Sequence, residues 1–113
     1  MTKYLIFYNA SDDARKVMNE STPEQVQASM QKWMAWKDEA EKTAKVEFGL
    51  PLQPVERLTP SSTGVNDSQA SGYSIIEAES KEALNRLLMS HPHFQRGADA
   101  TIDVFEMIPL ENM

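Results

Sequence analysis

Three stretches of this chain are apolar at successive positions, and that pattern limits the fold more than any other feature of the sequence. In Lys3 to Tyr8, Tyr4, Ile6 and Tyr8 alternate with Leu5 and Phe7. In Gly72 to Glu79, Tyr73 and Ile75 alternate with Ile76 and Ala78, and in Thr101 to Ile108, Ile102, Val104 and Ile108 are set against Phe105 and Met107. Successive side chains of a strand point to opposite faces, so each stretch predicts a strand that is apolar on both sides. An antiparallel sheet with one face in water reads apolar-in and polar-out. This one does not, and something must cover its second face.

The remaining elements follow from their boundaries. Ser11 to Met18 predicts a short helix, with Ser11 as cap and Asp12 and Asp13 against the positive end of its dipole. Thr22-Pro23-Glu24-Gln25 is a strong helix start: a capping threonine, proline at the first helical position and glutamine placed to close a capping box. From Pro23 to about Ala44 no glycine or proline intervenes, and Val26, Met30, Trp33, Lys37, Ala40 and Ala44 fall on one stripe. Such a helix is about 33 Å long, enough to cross a small sheet. Val46 to Leu50 predicts another strand, and the polar segment Thr59 to Ser71 a loop or irregular hairpin. Ser80 caps a last helix carrying Ala83, Leu84, Leu87 and Leu88, which Pro92 ends near Ser90 or His91.

The order βαββαβ predicts an α+β, ferredoxin-like domain spanning residues 1–113: a four-stranded antiparallel sheet with both helices on one face. Helices can cover only that face. The loop from Thr59 to Ser71 lacks large apolar groups to cover the other, so the expected cover is a second copy, giving a homodimer in which two sheets close into an α+β barrel.

Composition narrows the chemistry. A chain of 113 residues can bury a core without disulfides or a structural metal. With no cysteine, thiolate catalysis, iron–sulfur clusters and cysteine-ligated zinc are excluded. A net charge of −6 argues against a phosphate-tracking surface, so no nucleic-acid partner is expected. No apolar run approaches a membrane span and no signal peptide is legible at the start, so no membrane partner is expected and the cytoplasm is the expected location. There is no phosphate-binding glycine loop, nucleophile elbow or zinc-peptidase motif, and no cofactor is expected.

What chemistry is left centres on His91-Pro92-His93, which holds the only two histidines. Histidine suits proton transfer near neutral pH, so His91 and His93 are the candidate catalytic residues. The competing reading makes the tripeptide a helix stop in which an imidazole bonds the last free carbonyls. A metal site is not expected, because two histidines need a third ligand and no carboxylate is spaced to supply it. Trp33 and Trp36 could wall a ligand pocket or simply fill the core, and the same choice applies to Tyr73. Glu77, Asp103 and Glu106 are odd residues in apolar strands, placed most simply at an edge or strand end.

The Tyr-Leu-Ile-Phe-Tyr strand, the Thr-Pro-Glu-Gln helix start, the two tryptophans of the long helix, Ser-Gly-Tyr-Ser-Ile-Ile-Glu-Ala-Glu-Ser-Lys-Glu-Ala-Leu and His-Pro-His-Phe together resemble the YCII-related family. The resemblance implies a dimeric α+β barrel and, for some members, a cofactor-free enzyme using a histidine and an aspartate. The matching positions here are Gln25 and His91, so neither residue type of that dyad is kept. Two functions are therefore expected to compete. One is a cofactor-free, isomerase- or lyase-like enzyme taking a small apolar or aromatic ligand between sheet and helices, with His91 or His93 moving the proton and Gln25, Trp33, Trp36 and Tyr73 around the pocket. The other is a non-catalytic dimeric ligand-binding or assembly module, which predicts that the space around the histidines is filled.

Overall fold

Strand β1 (Thr2–Asn9), the first element of the chain, occupies an interior position in the sheet. A computed structural model describes residues 1–112. After β1 come helices α1 (Asp12–Asn19) and α2 (Pro23–Ala40), strand β2 (Lys45–Phe48), a small hairpin of β3 (Arg57–Leu58) and β4 (Thr63–Gly64), strand β5 (Ala70–Ala78), helix α3 (Lys81–Met89), a 3-10 turn (Pro92–Arg96) and strand β6 (Thr101–Glu106). The fold is α+β: β2, β5, β1 and β6 lie side by side in that order in one sheet, every neighbouring pair antiparallel, with three helices. None of the helices among the described residues is long and apolar enough to cross a membrane.

Register explains the core. Tyr4 and Val46 both stand opposite Ile76, and Ile6 opposite Ser74. These residues are buried in one cluster with Tyr8 and Ala78 of the sheet, Trp36 and Ala40 of α2, and Leu84 and Leu88 of α3. Burying an aliphatic or aromatic side chain of this size contributes about 1.5–3 kcal/mol, so Ile6, Ile76 and Leu84, all fully buried, anchor the helices to the sheet. The alternate residues Leu5, Phe7, Tyr73 and Ile75 belong to the other face and are only partly buried, while Phe105 beside them is 52% exposed. The molecule measures 44 × 42 × 22 Å, and its short dimension holds one sheet layer and one helix layer.

The helix starts match their sequence signals. Ser11 and Ser80 accept the N–H of Ala14 and Ala83, and Thr22 and Gln25 close the capping box in both directions. Two features of α2 differ from the sequence reading. The helix ends at Ala40 rather than near Ala44, because a tight turn in which Thr43 N–H donates to Ala40 C=O must deliver the chain into β2. Val26 and Met30 are exposed instead of facing the core. Trp33 meets Tyr8, one residue before the end of β1, so the turns of α2 preceding it run beyond the sheet. Val26 lies about 10 Å further out along the helix.

The segment between β2 and β5 forms an arm. At its root, Gly49 N–H donates to Tyr73 C=O, Leu52 N–H to Ser71 C=O, and Arg15 reaches the carbonyls of Ser68 and Ala70. At its tip, Arg57 pairs with Asp67 at 2.8 Å across the hairpin, and Thr59 and Ser62 bond each other. The radius of gyration, 15.6 Å, exceeds the roughly 13 Å expected of a compact chain this long.

Candidate functional site

Pro92 sets the geometry of the histidine motif. It cannot continue α3, and His91 before it adopts an extended backbone (φ −67°, ψ 136°) that caps the 3-10 turn. The His91 side chain turns inward, 2% exposed, and its Nδ1 accepts the N–H of His93 at 2.9 Å. An acceptor at Nδ1 places the proton of the neutral ring on Nε2. That Nε2–H is buried and has no hydrogen-bond partner among the described residues. Aromatic rings surround it instead: the Trp36, Trp33 and Tyr8 centroids stand 4.3, 4.5 and 4.8 Å from that of His91, with Trp33 nearly perpendicular.

His93, also 2% exposed, is a tie between strands. Its Nε2 faces two acceptors, Asn9 C=O at 2.9 Å and Thr101 C=O at 3.1 Å, and therefore carries the proton. One imidazole thus joins the end of β1 to the start of β6. Asn9 reinforces the junction by donating from Nδ2 to Thr101 and Asp103. Burial pushes the His91 imidazole down to about 3, with the neighbouring His93 adding to the effect. Burial also lowers His93, against the opposing influence of its bond to Asn9 C=O. Both rings are neutral near pH 7.

The tryptophans complete the cluster. Trp36 donates its indole N–H to Leu87 C=O at 2.9 Å, satisfying one of the free carbonyls at the end of α3. Phe48 fills the space beside both tryptophans, stacked on Trp36 and edge-on to Trp33. Tyr8 is hydrogen-bonded to Ser74 at 2.8 Å, and burial pushes its phenol up to about 12. Sequence reasoning passed over Tyr8, Phe48 and Ser74; the small hydroxyl of Ser74 beside Ile75 and Ile76 was the signal in the sequence, since a buried serine needs a partner.

The expected site residues therefore divide. Trp33, Trp36 and Tyr8 come together around His91, and His93 packs against Tyr8. Gln25 does not join them: it is exposed, and its amide oxygen serves the helix cap. Nor does Tyr73, which lies on the opposite face of the sheet, across from Phe7 and against Gly49, because strand alternation gives the inward position to Ser74. Glu77 pairs with Lys3 at 3.6 Å and Asp103 accepts from Asn9, so two of the three odd carboxylates have local partners.

Two surface depressions lie elsewhere. One of about 410 Å³ sits between Tyr4, Val104 and Glu106 of the sheet and Lys81 and Asn85 of α3. The other, about 370 Å³, runs along β2 beside Lys3, Ile75 and Glu77. Neither includes a histidine. No group of three or more metal-ligating side chains is present among the described residues. Compared with models of known protein families and with curated proteins, the chain matches none.

Proposed function

We propose that this chain works as a homodimer of the YCII-related kind, a ferredoxin-like fold paired into an α+β barrel, serving as a non-catalytic ligand-binding or assembly module. The observation that carries this reading is the open face of the sheet. Leu5 stands opposite both Ile75 and Phe105, Phe7 opposite Tyr73, and the Phe7 and Phe105 rings meet edge to face at 5.7 Å. These five side chains form a continuous apolar surface beside the Lys3–Glu77 pair, an apolar centre with a charged margin of the sort protein interfaces use. The strand order β2-β5-β1-β6 suits the ferredoxin-like arrangement, and the resemblance of the sequence to the YCII-related family points to the same dimer.

Sedimentation velocity tests this at micromolar concentration. The expected result is a dimer for the native chain and a monomer for Phe105→Glu, because an unpaired carboxylate cannot be buried at that interface without a cost of several kcal/mol. A native chain that sediments as a monomer throughout refutes the reading.

One observation favours the enzymatic alternative: the unpartnered His91 Nε2–H is the kind of donor that orients a small aromatic ligand. That reading requires the rings around His91 to part, since they are in contact as packed. Native mass spectrometry of the purified protein supports it if a small molecule remains bound and is lost in His91→Gln.

A further inference from the structure

The arm of residues 49–69 leaves its large apolar side chains in water. Val55 is 86% and Val65 83% exposed, and Leu50 and Leu58 are similarly bare. Both strands of its hairpin are two residues long and exposed, and neither joins the main sheet. Exposed apolar residues scattered singly need no explanation, but these four occupy one projecting segment whose root is built into the open face. Tyr73 of that face lies against Gly49 so closely that a side chain at position 49 would collide with its ring.

The size of the open face supplies the second argument. Four strands spaced about 4.8 Å apart and roughly six residues long cover about 400 Å² in projection. Stable interfaces bury about 800 Å² per partner. The apolar part of the sheet face alone falls short of this, because β2 contributes Lys45 and Glu47 to it, and the arm rooted beside Tyr73 is an apolar surface that can supply the difference.

We propose that the arm of one chain clasps a second copy of this chain, completing the dimer interface that the open sheet face begins. The inference rests on the homodimer proposed above. In a two-fold pair both arms act at once, each adding its apolar side chains to the buried surface.

The test is sedimentation equilibrium on the native chain and on a triple variant, Val55→Ser, Leu58→Ser and Val65→Ser, with circular dichroism to compare the folds. All three positions are exposed within one chain, so the protomer should fold unchanged. The expected result is a native dimer whose dissociation constant rises at least about tenfold in the variant. A native dimer with a rise of less than tenfold overturns the clasp and leaves the dimer standing. A native chain that is monomeric up to the highest concentration reached overturns both. Should the triple variant misfold, Val55→Ser with Val65→Ser alone, read at a threshold of about threefold, decides the question in the same way.

Discussion

Replacing His91 by asparagine should remove a measurable share of the acid sensitivity of the fold. Asparagine places an acceptor where Nδ1 now lies and is a favoured capping residue, so the bond from His93 N–H can persist. The lost ring atoms leave a small cavity whose cost is the same at every pH. The titration is what changes. In the folded chain His91 is held at about 3, against 6.5 when exposed. Below pH 6.5 the unfolded chain therefore takes up a proton that the native chain refuses, and stability falls as pH falls, until the folded ring itself protonates near pH 3. Each unit in that window costs about 1.4 kcal/mol. Between pH 7.5 and 4.5 the native chain should lose about 2–3 kcal/mol more than His91→Asn. Urea denaturation at one fixed protein concentration, followed by circular dichroism, measures this, and other titrating groups largely cancel in the difference. Equal pH dependence of the two proteins, to within about half a kcal/mol, would refute the claim that burial holds this imidazole neutral.

Three further outcomes follow from the packing of Tyr8 and Gly49. Tyr8→Phe strands the Ser74 hydroxyl in the core and should destabilise the fold by about 1–2 kcal/mol; the native Tyr8 phenol should still be un-ionised at pH 11 by ultraviolet difference spectroscopy. Gly49→Ala should cost about 1–3 kcal/mol in thermal or urea unfolding, because the new methyl meets the Tyr73 ring and one of them must move; unchanged stability would show that the ring is not seated there.

The sequence was most informative where one residue type has one physical role. Ser11, Thr22 with Gln25, and Ser80 cap the helices that their sequence positions predict. The two-faced strands likewise appear as a sheet with one buried and one half-open apolar face. Three-dimensional placement was harder to read. The stripe on α2 has the same period whether or not a sheet lies beneath it, so only the end of β1 shows that Val26 and Met30 are left outside. Tyr73 and Ser74 are adjacent, and which of them faces inward depends on register, which Ile6 opposite Ser74 fixes. The histidine pair was legible as a feature but not as an arrangement, because its partners Asn9 and Thr101 are brought to it by strand pairing.

The interior place of β1 has a consequence for biosynthesis. Its two neighbours are β5 and β6, and the Asn9–Thr101 contact joins residues 92 positions apart. At roughly 5–20 residues per second, translation leaves β1 without its outer partner for about 5–20 s. Throughout that interval Leu5, Ile6, Phe7 and Tyr8 lie in an apolar strand with an unpaired edge, the kind of segment that associates with other chains. The sheet is thus completed from the middle outward in space but late in time, and β1 is the segment that chaperones would be expected to shield on the ribosome.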